Sequence, residues 1–185
     1  MRNNLLPPKP WIVDQPKAFV LGCDPTAFYK NGAPRKFEYV FNLQDKGDKR
    51  YFAGILKNLK AFGLGLDCIY VQNLVTDYQP TETSKNKNWN NEALKSIPLR
   101  RKEFDDVDPT GNLPVFLTSQ HLYKVLLNDG IQPETPATLY KESMPIPAMQ
   151  NKLGRPLVVL YRHYKYAMDK HPVYQEMIKK NFLNL

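Results

Sequence analysis

Three polar side chains stand where apolar runs of the sequence end, and their types suit chemistry on, or recognition of, an organic base. Asp24 follows an apolar run and a glycine and precedes Pro25, which would hold its carboxylate at the edge of a sheet. Asn73 carries one hydrogen-bond acceptor and two donors, which fit the edge of a pyrimidine. His163 follows the last apolar run. Each has a structural alternative, namely an Asx turn for Asp24, a turn position for Asn73 and a backbone hydrogen bond for His163.

The elements that must position these residues are four short apolar runs, 18–23, 68–72, 115–118 and 157–161. They are almost continuously apolar, which is typical of strands covered on both faces. Helical patterns lie between them. This alternation predicts an α/β fold, a three-layer α/β/α arrangement around a short, mostly parallel four-stranded sheet. In such sheets ligands bind outside the carboxyl ends of the strands, where the three polar residues stand.

The helical patterns have recognisable ends. Apolar residues at helical spacing predict a helix over 51–62 that Gly63 would end. A short helix is expected over 89–97, ending before Pro98. Ser119 would cap a third helix that stops by Gly130, and Pro172 suits the first turn of a final one. The proline-rich stretch 132–147 is interpreted as a long surface loop.

Length and composition narrow the class of protein. A chain of 185 residues fits one domain over 1–185, because chains usually split only above about 250 residues. No apolar run approaches the roughly 20 residues of a membrane helix, and no signal peptide is visible, so we expect a cytoplasmic protein. The two cysteines are interpreted as buried free thiols in a reducing compartment. Neither cysteines nor histidines show metal-ligand spacing, and no glycine-rich phosphate loop is present, so neither metal nor cofactor is expected.

The charge is positive and clustered. Lys and Arg number 26 against 18 Asp and Glu, which gives a net charge of +8. Basic side chains concentrate within 84–102 and again within 155–185. This pattern suits a polyanionic partner such as nucleic acid, and solubility alone is the alternative explanation.

Five segments resemble motifs of the uracil-DNA glycosylase superfamily, in the same order. Its water-activating motif Gly-Gln-Asp-Pro-Tyr-His resembles Gly-Cys-Asp-Pro-Thr-Ala at 22–27, and a phenylalanine segment resembles Val-Phe-Asn-Leu at 40–43. The base-reading asparagine motif resembles 71–76, the Asn-Ser-His to Gly-Trp stretch resembles 83–89, and the closing histidine loop resembles 163–166. The similarity is greatest to the general uracil-excising branch without an iron–sulfur cluster.

The resemblance implies a DNA repair glycosylase that hydrolyses the N-glycosidic bond of uracil or a related deaminated base in DNA, without a metal. It implies that Asp24 stabilises the sugar cation and orients water, and that His163 stabilises the departing base. The implied substrate-binding residues are Phe41, Asn73, Thr26 and Cys23, with Phe41 stacking on the base and Asn73 reading its edge. DNA-binding residues are expected at Ser84, Lys85, Lys87, Arg162, Tyr164 and Lys165, and Arg100–Lys102 would also hold phosphates. We expect a monomer with a single- or double-stranded DNA partner and no membrane partner.

Two departures from the family pattern shape the expectations. Thr26 stands where the family has a tyrosine that blocks the thymine methyl group, which predicts relaxed exclusion of 5-substituted uracils unless Phe28 or Tyr29 fills the space. The closing loop lacks the family's Pro, Ser and wedge Leu, and Tyr164, Tyr166 and Met168 are the candidate replacements for the wedge. The alternatives are therefore a nucleic-acid-binding protein without catalysis, or a small-molecule enzyme on the same scaffold.

Overall fold

A computed structural model describes residues 5–43, 50–142 and 145–183, without the side chains of Arg50, Tyr51 and Glu142. At its centre is a sheet of four strands, in the order β2-β1-β3-β4 with every neighbouring pair parallel. The strands are β1 (Ala18–Gly22), β2 (Ile69–Asn73), β3 (Val115–Leu117) and β4 (Leu157–Val159). Every strand residue is buried, as the continuous apolar runs predicted, and the expected parallel α/β sheet is confirmed.

Within the described residues, five α-helices connect and cover the strands. They are α1 (Arg50–Lys60), α2 (Trp89–Val107), α3 (Gln120–Leu126), α4 (Pro136–Glu142) and α5 (Pro172–Ile178). Short 3-10 turns lie at Val40–Asn42, Thr83–Lys85, Ala148–Gln150, Tyr164–Tyr166 and Met168–Lys170, and a π turn follows at Lys179–Leu183. None of these described helices combines the length and the apolar character that crossing a membrane requires.

Helices cover both faces of the sheet. On one face, the ring of Phe19 in β1 stacks on Phe104 of α2 at a centroid distance of 4.1 Å. On the other face, Phe116 of β3 packs against Phe62, just beyond the end of α1, at 5.4 Å. Phe19 and Phe116 point to opposite faces because Phe116 pairs in register with Val20, the neighbour of Phe19. This gives the three layers that the alternation of strands and helices predicted.

The prediction that the second helix ends before Pro98 was wrong. Helix α2 continues through Pro98 to Val107. A proline inside a helix removes one backbone hydrogen bond. Here the buried residues Ile97, Arg100 and Phe104 lie on one face on both sides of the proline, and packing of that face on the sheet outweighs the local cost.

The prediction of a long loop over 132–147 was also wrong in part, because α4 lies within it. Its residues Leu139 and Tyr140 are buried, and the Tyr140 hydroxyl accepts a hydrogen bond from the Tyr161 backbone N–H at 2.8 Å. The cap by Ser119 is confirmed, since its hydroxyl oxygen accepts a hydrogen bond from the His121 N–H at 3.2 Å. Helix α3 ends at Leu126, four residues before Gly130.

Both cysteines are free, as predicted, although each is half-buried rather than fully buried.

Candidate active site

A cavity of about 840 Å³ opens beyond the carboxyl ends of the strands. It brings together polar residues at the carboxyl ends of all four strands, and the turn at Val40–Asn42 adds an aromatic ring. The predicted site residues on its wall are Cys23, Asp24, Thr26, Phe41, Asn73, Ser84, Arg162, His163 and Tyr164. Lys85 and Lys87 line a neighbouring groove instead, and Lys165 is exposed on the turn that carries Tyr164.

The Asp24 carboxylate is held by hydrogen bonds on both of its oxygens. Oδ1 accepts from the Thr26 backbone N–H at 2.9 Å, which forms the Asx turn that was the structural alternative for this residue. Oδ2 accepts from the Thr83 hydroxyl at 2.5 Å. The turn and the cavity position therefore occur together, and a carboxylate fixed in this way is preorganised to stabilise a positive charge in the cavity.

The Asn73 side chain presents an amide to the cavity. The residue is only 2% exposed and lines the cavity, and its side-chain amide makes no hydrogen bond within the described part of the chain. Buried amides are normally hydrogen-bonded, so an amide left open at a cavity wall is suited to a ligand. Its two donors and one acceptor are then available to a planar polar edge.

Phe41 is held beside this amide by an unusual backbone. Phe41 and Asn42 have φ values of 55° and 59°, in the left-handed region that large side chains rarely adopt. The ring packs on Gly22 together with Asn73, since a Cβ placed on Gly22 would lie 2.6 Å from Phe41 Cζ and 2.2 Å from Asn73 Oδ1. Gly22 thus lets an aromatic face and an amide edge meet at the end of β1. Strained residues of this kind cluster at ligand-binding sites.

His163 stands at the mouth of the cavity and is exposed. Its Nδ1 accepts a hydrogen bond from the Lys165 backbone N–H at 3.3 Å and so caps the turn Tyr164–Tyr166. An accepting Nδ1 is unprotonated, so in the neutral ring the proton lies on Nε2. Nε2 is therefore the atom that can donate a hydrogen bond to a ligand.

Thr26 and Cys23 line the cavity, but neither side chain is suited to act as a nucleophile. The Thr26 hydroxyl oxygen accepts a hydrogen bond from the Gln79 backbone N–H at 2.7 Å. Burial raises the pKa of the Cys23 thiol to about 12, and the neighbouring Asp24 charge adds to the effect, so the thiol is protonated and a poor nucleophile at neutral pH. Phe28 lines the cavity near Thr26, whereas Tyr29 is not on its wall.

Tyr164, Tyr166 and Met168, the three residues considered as a counterpart to the wedge leucine of uracil-DNA glycosylases, differ in exposure. Met168 is 1% exposed and belongs to the core, and Tyr166 stacks on Tyr140 at a centroid distance of 4.9 Å. Tyr164 is 69% exposed beside His163, and its backbone carbonyl accepts a hydrogen bond from Lys170 Nζ at 3.3 Å. Tyr164 is thus the most exposed of the three, whereas Tyr166 lines the cavity but is held in an aromatic stack.

The prediction that Arg100–Lys102 hold phosphates was wrong for Arg100, which is buried, and it stays a prediction for the exposed Arg101 and Lys102. Arg100 is 5% exposed and pairs with Glu103, which also accepts hydrogen bonds from Tyr70 and Gln72. Arg101 pairs with Asp105 and Lys102 with Asp106, one helical turn along α2. The charges of this cluster are neutralised by the acids that follow in the same helix.

Sequence reasoning gave no role to several residues on the cavity wall. Thr83 was seen only as part of a motif, yet it binds the Asp24 carboxylate. Phe37 and Ser119 also line the cavity. Only the full path of the chain brings residues 83 and 24 together, so no local pattern could have found this contact.

No protein family model matches the chain, and a search of curated proteins finds no similar sequence.

Proposed function

We propose that the protein is a hydrolase that excises uracil or a related deaminated base from DNA. The observation that supports it most is the open amide of Asn73 beside the ring of Phe41, facing the same cavity as the carboxylate of Asp24. A base taken out of the helix needs a stacking face and a reading edge, and these two residues offer both. A stacked aromatic ring contributes about 1–3 kcal/mol per base, which partly offsets the cost of unpairing.

The roles of the charged and polar groups follow from bond cleavage. As the glycosidic bond breaks, positive charge develops on the sugar and negative charge on the base. Asp24, held by Thr83 and the Thr26 N–H, would stabilise the sugar cation and orient the attacking water. His163, neutral with its proton on Nε2, would donate a hydrogen bond to the departing uracil anion.

The Asn73 amide would distinguish uracil from cytosine. Uracil offers a carbonyl oxygen and an N–H along the edge that the amide faces, whereas cytosine offers an amino group and an unprotonated nitrogen. If the amide is oriented to pair with uracil, its donor and acceptor have no partners when cytosine is bound. Buried polar groups without partners are costly, so the site would bind cytosine much more weakly than uracil.

The test is incubation with a single-stranded oligonucleotide that contains one uracil, followed by alkali. Excision leaves an abasic site that alkali cleaves, so strand scission is expected with uracil and not with cytosine at the same position. Asp24→Asn should retain DNA binding and lower the single-turnover rate by about two orders of magnitude or more, as expected for loss of a charge-stabilising group.

A second candidate is a nucleic-acid-binding protein of the same fold without catalysis. The exposure of His163 on a loop that departs from the family pattern favours it. DNA binding without strand scission, at an enzyme excess and over long incubation, would support this candidate and reject the hydrolase.

A further inference from the structure

A second depression, here called the side groove, continues from the cavity along its Thr83–Ser84 wall. It measures about 430 Å³ and shares Thr83, Ser84 and His121 with the cavity. The remaining residues that line it belong to the turn before α2 and to the start of that helix, and they are Lys85, Asn86, Lys87, Trp89 and Asn90. The side groove therefore adjoins the cavity.

The side groove contains a buried donor without a partner. Trp89 is 1% exposed, and its indole Nε1 has no hydrogen-bond acceptor among the described residues. The ring meets His121 edge-on at a centroid distance of 6.0 Å. A buried N–H without an acceptor costs about 1–3 kcal/mol, so a ligand in the groove that supplied an acceptor to Nε1 would remove this cost.

The start of α2 adds a second open donor. This 19-residue helix has no side-chain cap, because Asn88 instead bonds to Asn91 and Glu92. Within the part of the chain that the structure describes, the backbone N–H of Asn90 in the first turn has no acceptor. The first turn of a long helix is a favourable place for an anion.

The lysines of the side groove differ in their availability. Lys85 pairs with Glu82 at 3.4 Å, whereas Lys87 is exposed and forms no ion pair with the residues described. The groove thus offers one available cation, an open helix N–H and a buried indole N–H, and these are all donors. An anion with several acceptor oxygens fits this set.

We propose that the side groove binds a backbone phosphate of the nucleic-acid strand next to the nucleotide held in the cavity. The inference rests on the proposed function for the occupant of the cavity, but its own evidence lies in the groove. The phosphate would accept hydrogen bonds from Trp89 Nε1 and the Asn90 N–H and would pair with Lys87. Because the groove lies on one side of the cavity, only one strand direction from the held nucleotide meets it.

The test uses a short single-stranded oligonucleotide with a tetrahydrofuran abasic analogue at its centre, which leaves the cavity without a base. Affinity is measured by fluorescence anisotropy over a range of salt concentrations. We expect Lys87→Gln to weaken binding several-fold and to reduce the slope of log affinity against log salt by about 0.7, the value for one phosphate contact on a single strand. Lys60→Gln, at the end of α1, is the matched control and should change neither quantity.

Trp89→Phe separates a ligand role from a packing role. A smaller aromatic ring is kept while the unpartnered N–H is removed, so we expect binding to weaken by about tenfold at a temperature at which the variant is still fully folded. Replacing single phosphates by neutral methylphosphonates should locate the effect of Lys87→Gln at a position on one side of the abasic analogue only.

The possible outcomes separate the two proposals. Equal effects of Lys87→Gln and Lys60→Gln, or wild-type binding by Trp89→Phe, would overturn the side groove as a phosphate site. Groove-dependent binding without any uracil excision would leave the phosphate site standing and reject the hydrolase. Uracil excision with no dependence on Lys87 or Trp89 would support the hydrolase and reject the phosphate site.

Discussion

Thr83 is the residue on which the carboxylate geometry depends most directly. Its hydroxyl donates to Asp24 Oδ2, and the rest of the carboxylate is held by a local turn. Thr83→Val keeps the shape and removes the donor. A hydrogen bond to a charged group contributes about 1.5–3 kcal/mol, so we expect single-turnover excision to fall roughly ten- to a hundredfold with unchanged DNA affinity.

Thr83→Ser is the control for this prediction. It restores the hydroxyl without the methyl group and should recover most of the rate. If valine and serine lower the rate equally, the methyl packing matters and the hydrogen bond to Asp24 does not.

His163 is expected to act on the reaction more than on binding. Its Nε2 is left to donate a hydrogen bond to a ligand, because Nδ1 accepts one from the Lys165 N–H. We therefore expect His163→Ala to slow single-turnover excision by about two orders of magnitude, the lower range for general acid or charge-stabilising groups, with a smaller change in DNA affinity. Comparable losses of rate and affinity in His163→Ala would assign His163 a structural role.

Thr26 controls the expected choice among substituted bases. The threonine hydroxyl is occupied by the Gln79 N–H, and the side chain is smaller than the tyrosine of the family pattern. We expect measurable excision of 5-hydroxymethyluracil as well as uracil, because a methyl-sized group in a pocket is discriminated by only about 1–3 kcal/mol. Thr26→Tyr should restrict excision to uracil, measured on matched oligonucleotides. Wild-type action on uracil alone, unchanged by Thr26→Tyr, would show that Phe28 or another residue limits the pocket.

How much of the site could be predicted from the sequence depends on how far apart in the chain the contacting residues are. Asp24, Asn73 and His163 were found because strand ends are visible as the ends of apolar runs. Three other features depend on segments far apart in the chain. They are the left-handed backbone of Phe41, the packing of Phe41 and Asn73 on Gly22, and the hydrogen bond from Thr83 to Asp24. Local patterns contain no information on those contacts.

At the scale of elements, the two errors in helix prediction, the early end of α2 and the missed α4, have the same cause. Pro98 and the prolines of 132–147 are strong local signals, but α2 and α4 each bury one face against the core. Burial of an apolar side chain contributes about 1.5–3 kcal/mol, so a few buried residues outweigh one lost hydrogen bond. The strands were easier to predict, because continuous burial leaves few polar residues inside a run, and those present, such as Gln72 and Thr118, stand at its end.

The end of α2 is joined to the start of β4 by a buried ion pair. Arg155 is fully buried and donates to Asp108 Oδ2 at 2.6 Å and to Asp105 Oδ1 at 2.8 Å. Burial acts to raise the pKa of Asp108, but hydrogen bonds from Thr110, the Leu113 N–H and Arg155 outweigh it and lower the pKa to about 2. The folded state thus binds this proton more weakly than the unfolded state does.

The pH dependence of stability follows from that sign. A carboxylate whose pKa is lowered on folding stabilises the protein above its unfolded pKa, and the contribution is lost as pH falls from about 4 to about 2. We expect Asp108→Asn to destabilise the protein by about 2 kcal/mol at pH 7, and the difference from wild type to narrow towards pH 2, measured by urea unfolding. Asp106→Asn, in an exposed pair with Lys102, should have little effect at either pH. A constant difference across pH would show that the Asp108 charge is not the cause.

At the scale of the whole molecule, one end of the sheet carries the cavity, the side groove and the exposed ring of Tyr164. The parallel α/β class was predictable because alternation and continuous burial leave few other arrangements. The strand order and the depth of the cavity could not be predicted, because they depend on which face of the sheet each connecting helix covers. The face around the cavity mouth is where we expect DNA, with Arg162, Lys165 and Lys87 around it.

Tyr164 is the residue that we expect to support the proposed action on double-stranded DNA. A base that leaves a duplex leaves a gap in the stack, and an exposed aromatic ring at the cavity mouth can fill it with about 1–3 kcal/mol of stacking. Single strands have no such gap. We therefore expect Tyr164→Ala to lower excision from duplex DNA by about tenfold and to change excision from single strands much less.

Two variants serve as controls for this prediction. Tyr164→Phe keeps the ring and should retain duplex activity. Tyr166→Phe, within the aromatic stack on Tyr140, controls for disturbance of the turn. Rates on matched single- and double-stranded uracil oligonucleotides decide the matter, since an equal loss on both would mean that Tyr164 only supports the His163 loop.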